Sequence, residues 1–271
     1  MTYSIVAFDR ETMQWGVAVA SKAMCVGAHV PWGAGGVGAV ATQAYHDLRY
    51  GFEGLDALKQ GRDAAGVVAE LTTDDPESVF RQLGVVDAEG RAATFTGERC
   101  TAWAGGLSGD SWAVQGNILA GPHVVAAMRE SWDATKDEPK LERRLLAALT
   151  AGDRAGGDKR GRQSAALLVV RDGAGYGGND DIAADLRVDD HPDPCTELAR
   201  LLDLHELYLT ASTEDEKVPV DAALREELET RARDRGHGSF DAWVGTENYE
   251  MRVGGDWIDR RILAILRQDA S

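Results

Sequence analysis

The stretch TYSIVAFDRETMQWGVAVASK, residues 2–22, decides how this chain is read. Tyr3 to Phe8 is a run of β-branched and aromatic residues, Asp9-Arg10-Glu11-Thr12 is a polar turn, and Gln14 to Ala20 alternates around Gly16-Val17-Ala18-Val19. That pattern predicts a hairpin that opens the fold at its second residue, where most chains are still loose. If Met1 is removed, the Thr2 hydroxyl and a free α-amine lie within one residue of each other at an exposed strand start. A nucleophile is then paired with its own general base.

Beyond the hairpin, Gly36 to Ala44 reads as a further strand. Gly54 to Leu71 reads as two short helices split by Gly61, because Leu55, Leu58, Val67, Val68 and Leu71 recur at helical spacing. Gln82 to Asp87 and Arg91 to Thr96 read as a second hairpin, and Ser111 to Leu119 as a strand. A helix follows that Pro122 starts, then another at Leu141 to Leu149. Ser164 to Val170 and Ile182 to Val188 form the last strand pair. Paired strands separated by helices lack the βαβ alternation of a doubly wound sheet and suit two packed antiparallel sheets with helices outside. From Cys195 the texture turns helical, over Leu198 to Leu209, Val220 to Ala232, Phe240 to Asn248 and Ile258 to Leu266. The expected division is residues 1–204 and 205–271, with TASTEDEK (210–217) as the polar break.

Composition narrows the function classes. The 271 residues carry 45 acidic against 29 basic side chains, a formal charge of −16. A field of that sign repels nucleic acid and anionic membrane except at a local basic patch. No apolar run approaches membrane-spanning length and no signal-like segment precedes the hairpin, so a cytoplasmic protein is expected. Cys25, Cys100 and Cys195 are odd in number and have no CxxC spacing, which predicts reduced structural thiols.

Several motif-like stretches fail on context. Gly33, Gly35, Gly38 and Gly173, Gly175, Gly178 match GxGxxG, yet strand-like residues follow where a dinucleotide site needs a helix. The cluster VDDHPDPC (188–195) offers metal-ligand types in an extended proline-rich connection, with no second cluster to complete a site. No metal and no cofactor are expected.

Three stretches read as site material. Ser21 and Lys22 close the second strand of the opening hairpin, near the start of the first, where the lysine charge could lower the pKa of the Thr2 hydroxyl and amine. Gln115 and Asn117 interrupt an apolar strand at alternating positions, so both point to one face, either fixing a loop or supplying donors to an oxyanion. Asp158, Arg160, Gln163 and Ser164 crowd the start of a buried strand.

With these residues in view, the chain resembles the domain-of-unknown-function family 1028, which is similar in fold to the N-terminal-nucleophile (Ntn) hydrolases. The matching blocks are TYSIVAFD, GVAVASK, GAVATQAY, RQLGVVDAEGRAATFTGERC, WAG, VQGNILAGP and GGDKRGRQSAALLVV, spread over about residues 2–190. The resemblance implies an α+β fold, a four-layer αββα sandwich, with a small all-α C-terminal domain similar to a module described as peptidoglycan-binding. It implies an amidohydrolase acting on a small amide or cyclic amide. Thr2 would be the nucleophile, Lys22 its tuner, and Gln115 or Asn117 the oxyanion donor. Ser21, Gln43, Asp158, Arg160, Gln163 and Ser164 would bind substrate, and a homo-oligomer, a dimer, is expected. The alternatives are a non-catalytic binder of small molecules or wall fragments on the same fold, or a nucleophile at Ser4 or Cys25.

Overall fold

The computed structural model describes residues 2–268. Residues 2–22 form the expected hairpin: β1 (Thr2–Asp9) runs antiparallel to β2 (Gln14–Ser21), with Thr2 opposite Ser21 and Asp9 opposite Gln14. The Asp9 side chain accepts the Glu11 and Thr12 N–H groups, which fixes the turn. After it come β3 (Pro31–Ala34), β4 (Gly38–Ala44), α1 (Arg49–Lys59), α2 (Ala64–Thr73), β5 (Arg81–Asp87) and β6 (Ala92–Thr96). Next are β7 (Gly105–Gly109), β8 (Trp112–Asn117), α3 (Pro122–Ala134), α4 (Leu141–Arg154), β9 (Ser164–Val170), β10 (Ile182–Val188) and α5 (Pro194–Leu209).

These strands make a six-stranded sheet of order β10-β9-β2-β1-β8-β7 and a four-stranded sheet of order β3-β4-β5-β6, every ladder antiparallel. The fold is therefore mixed α/β with antiparallel sheets. Strand alternation divides the apolar residues between faces. Val6, Phe8, Trp15, Val17, Val19, Ala113, Ala166 and Val170 of the larger sheet meet Ala39, Ala41 and Val86 of the smaller one. Trp15 stacks on Phe8 at 4.5 Å and gives its indole N–H to the Asp87 carbonyl at 2.9 Å, tying the hairpin to the opposite sheet. Trp15→Ala should therefore cost ~3–5 kcal/mol of stability, read as a large drop in the denaturation midpoint at unchanged m-value. On their outer faces, the larger sheet packs on α4 and the smaller on α1 and α2, where Val40, Leu83 and Val85 meet Leu58, Val67 and Leu71.

Two strands of these sheets were not legible in the sequence. β3 (PWGA) and β7 (GGLSG) lack β-branched residues, and they form because neighbouring strands supply the partner groups. The first GxGxxG stretch is the β3–β4 hairpin, with Gly35 and Gly36 between the strands.

The chain divides into two compact units between Arg200 and Leu201, inside α5. The division lies within a continuous helix, so no break in composition marks it. The second unit continues with β11 (Lys217–Pro219), α6 (Ala222–Asp234), α7 (Phe240–Thr246), β12 (Trp257–Asp259) and α8 (Arg260–Arg267). The sequence predicts an all-helical unit, and the structure corrects this: two strands are present. β11 and β12 pair antiparallel over three residues each, a ladder too short to leave a periodicity. Leu228, Phe240, Trp243, Ile258, Ile262 and Leu266 form its core.

Candidate functional site

At one end of the larger sheet, polar residues occupy positions whose strand period belongs to the core. Register places Ser164, Ser21, Thr2 and Asn117 side by side across β9, β2, β1 and β8. Each shares its face with an inter-sheet core residue of its own strand: Ala166, Val19, Val6 and Ala113. One register step inward, Ser4 stands opposite Gln115, and on the facing sheet Gln43 stands opposite Gln82, which stands opposite Thr96.

The two sheets are stitched together by these side chains. Gln115 Nε2 donates to Ser4 Oγ at 2.7 Å, and Ser4 Oγ donates to Gln43 Oε1 at 2.7 Å. Gln82 is the hub: its Oε1 accepts from Gln43 Nε2 at 2.8 Å and from Asn117 Nδ2 at 2.9 Å. Its own Nε2 donates to Thr96 Oγ1 at 2.9 Å and to the Gly116 carbonyl at 2.8 Å. All these amides are buried, and buried amides need partners. Gln115 Oε1 is the exception, with no hydrogen-bond partner. It lies against Gly84, where a Cβ would stand 2.3 Å from it, so the close approach requires glycine. Gln82→Leu would strip the acceptor from both Gln43 and Asn117, each loss costing ~1–3 kcal/mol. A fall of several degrees in Tm is the expected reading.

Thr2 Oγ1 lies 3.2 Å from Ser21 Oγ, and Gln43 Nε2 reaches the Thr2 carbonyl at 3.4 Å. Thr2 is only 6% exposed, not the exposed strand start expected from sequence. β1 is an interior strand of the sheet, so neighbours enclose its first residue from both sides. Met1 lies outside the described residues. The backbone is strained beside this site: Ala44, after Gln43, has φ 70°, and Ile118, after Asn117, has φ 51°. A β-branched residue in the left-handed region is a genuine outlier, and such residues collect at functional sites.

The structure sorts the other expected site residues. Gln115 donates to Ser4 and sits one register step behind Thr2, whereas Asn117 is directly beside Thr2. Ser164 Oγ is turned to its own surroundings, donating to the Ala23 carbonyl and accepting the Val26 N–H at 3.2 Å. Lys22 is exposed, and its Nζ donates to the Arg162 carbonyl at 3.1 Å. The Asp158 carboxylate accepts the Lys22 N–H at 2.8 Å and pairs with Arg160 at 3.2 Å, so it pins a loop. Gln163 Nε2 donates to Asp190 at 3.1 Å.

Sequence reasoning missed Gln82 and Thr96. The signal was available for Gln82: it alternates with Gly84 and Val86 in an apolar strand, the same pattern that singled out Gln115 and Asn117. Beneath β1, Tyr3 OH donates to Asp153 at 3.2 Å and lies 4.0 Å from Cys195 Sγ. Burial, with the Asp153 charge adding to it, pushes the Cys195 thiol up to about 12. All three cysteines are free, and Cys195 is a buried, protonated thiol. Within VDDHPDPC, His191 Nδ1 accepts the Asp193 N–H at 3.0 Å, which shapes the connection between β10 and α5.

Residues 2–198 match the family of unknown function DUF1028. The chain belongs to this family. Seventeen chains of solved structures match as well. Among them is the crystal structure of protein SPO2555 from Silicibacter pomeroyi, described with the same family, 34% identical with a TM-score of 0.69. The alignment covers 77% of this chain and 88% of that one. No curated protein matches. Every residue of the amide network falls inside the region matched to the family.

Proposed function

We propose that the chain is an Ntn-type amidohydrolase cleaving a small amide or cyclic amide through Thr2. The observation that carries this reading is the polar row Ser164-Ser21-Thr2-Asn117, set at the end of a sheet whose inner face is otherwise apolar and backed by a buried amide network. Supporting it, α4 lies on the larger sheet, the two sheets pack face to face, and α1 and α2 lie on the smaller one, as the αββα sandwich requires.

In this mechanism Met1 has been removed and the Thr2 α-amine takes the Oγ proton as Oγ attacks the amide carbonyl. Asn117 Nδ2 carries two N–H groups and gives one to Gln82, leaving the second for the oxyanion. The protonated amine passes its proton to the leaving nitrogen, the C–N bond breaks, and an acyl ester on Thr2 remains. Water, deprotonated by the same amine, attacks the ester and restores the hydroxyl. The Lys22 charge favours the deprotonated amine, and Asp158 with Arg160 holds the neighbouring loop in place.

The test is to treat protein made in its own host with a β-lactone probe and to identify the modified residue and the N-terminus by mass spectrometry. Label on Thr2 of a chain that begins at Thr2 is the expected result. Intact Met1 on all of an active preparation would falsify the mechanism. Label on Ser4 or Cys25 would move the site. No label would favour a binding protein.

Asn117→Ala separates a catalytic from a structural amide. Gln82 Oε1 keeps Gln43 as donor, so the structural cost is small. The expected loss is of order 10²- to 10³-fold in kcat with KM nearly unchanged. A fall of several degrees in Tm with kcat retained would make Asn117 structural.

A further inference from the structure

The loop of residues 158–163 crosses the N-terminal end of β1. On the β8 side, the Lys159 N–H donates to the Ile118 carbonyl at 3.3 Å and Asp158 bridges Leu119. On the β2 side, the Gln163 N–H donates to the Ser21 carbonyl at 3.1 Å and the Asp158 carboxylate holds the Lys22 N–H. Since β1 lies between β8 and β2, the loop between these anchors passes the edge where Thr2 stands. Gly161 turns it at φ 113°, a conformation open to glycine.

This loop is basic in a chain of net charge −16. It carries Lys159, Arg160 and Arg162, and Lys22 adjoins it. Arg160 is paired with Asp158 and Arg162 with Asp153 at 2.8 Å, while Asp190 faces Gln163. The lysines are held differently: Lys22 Nζ donates to the Arg162 carbonyl and Lys159 Nζ to the Ala102 carbonyl at 3.5 Å. A carbonyl takes one of three ammonium protons and cancels no charge. The segment at Thr101 is hydrogen-bonded beside Ile118, next to β8. The Ala102 carbonyl that holds Lys159 thus follows Thr101, whose own carbonyl accepts the Ile118 N–H one residue beyond Asn117, the register neighbour of Thr2.

From this geometry we infer that the substrate is a carboxylate-bearing small amide whose anionic group is met by Lys159 while its amide reaches Thr2. The inference rests on the Thr2 reading above. It adds the charge of the substrate and makes Lys159 a specificity-determining residue.

Two β-lactone probes of equal ring and size test it, one carrying a free carboxylate and the other its methyl ester. In either, the Thr2 hydroxyl oxygen bonds to the lactone carbonyl, the ring C–O bond breaks, and the ring oxygen takes the hydroxyl proton. The carboxylate probe should label Thr2 about tenfold faster at low salt, and the advantage should fall toward parity near 1 M salt, where the Debye length is ~3 Å. Lys159→Glu should bring the carboxylate-to-ester rate ratio down to one or below, and Lys159→Arg should keep it. Equal labelling by both probes, or faster labelling by the ester, would overturn the inference and leave the Thr2 reading standing. A preference that survives Lys159→Glu would overturn the role of Lys159. If neither probe labels Thr2, the Thr2 reading falls and the substrate assignment falls with it.

Discussion

Thr2→Ala is expected to abolish both turnover and probe labelling in a protein that remains folded. The substitution removes the attacking oxygen and leaves the α-amine, β1 and the Asn117-Gln82 contact in place. Its structural cost is the lost contact with Ser21 Oγ and the buried methyl and hydroxyl environment, ~1–2 kcal/mol at a site this enclosed. In a chain of this size that lowers Tm by several degrees at most. Thr2→Ser keeps oxygen and amine and should retain activity. Full activity in Thr2→Ala would remove Thr2 from the mechanism, and loss of activity in both variants with a collapsed Tm would make Thr2 structural.

Arg252→Met should unfold the second unit locally. Arg252 and Asp259 are both buried, paired at 2.8 Å, and Arg252 also donates to Glu216 and to the carbonyls of Leu207 and Glu206. Asp259 accepts from Ser212 Oγ at 2.6 Å and from the Arg261 N–H at 2.7 Å, capping α8. Removing the arginine leaves a buried carboxylate without its counter-charge and two carbonyls without this donor, a cost of ~3–5 kcal/mol. That is a large share of what a unit of this size has to spare. Hydrogen exchange across residues 201–268 should accelerate, while the β1–β2 hairpin stays protected. Unchanged protection of α8 would refute this account.

The same pair sets a pH dependence. Burial opposes ionisation of Asp259, but the hydrogen bonds from Ser212 and Arg261 and the Arg252 charge hold its carboxyl below the ordinary aspartate value. Its folded-state pKa is depressed, so its contribution is present above the unfolded value of about 4 and is lost as pH falls below it. The stability gap between wild type and Arg252→Met should accordingly narrow on acidification. A gap that widens below about pH 4 would contradict the assignment.

The opening hairpin, the paired-strand order and the long strands are readable from local pattern, because Tyr3 to Phe8, Gln82 to Asp87 and Ser164 to Val170 carry strong β-branched and apolar patterns. The sequence also singled out Gln115 and Asn117, since an amide on an inward strand position must find a partner. Which partners they find depends on long-range packing. Gln115 meets Ser4, and Asn117 meets Gln82 from the opposite sheet, contacts separated by 111 and 35 residues in the chain. The strands β3 and β7 and the β11–β12 ladder were likewise illegible, since each is stabilised by a neighbouring strand and not by its own residues. Lys22 shows the limit most plainly. Its place at the end of β2 was set by the sequence, but the direction of its ammonium was set by the Arg162 carbonyl, in a loop 140 residues away that only the fold brings to it.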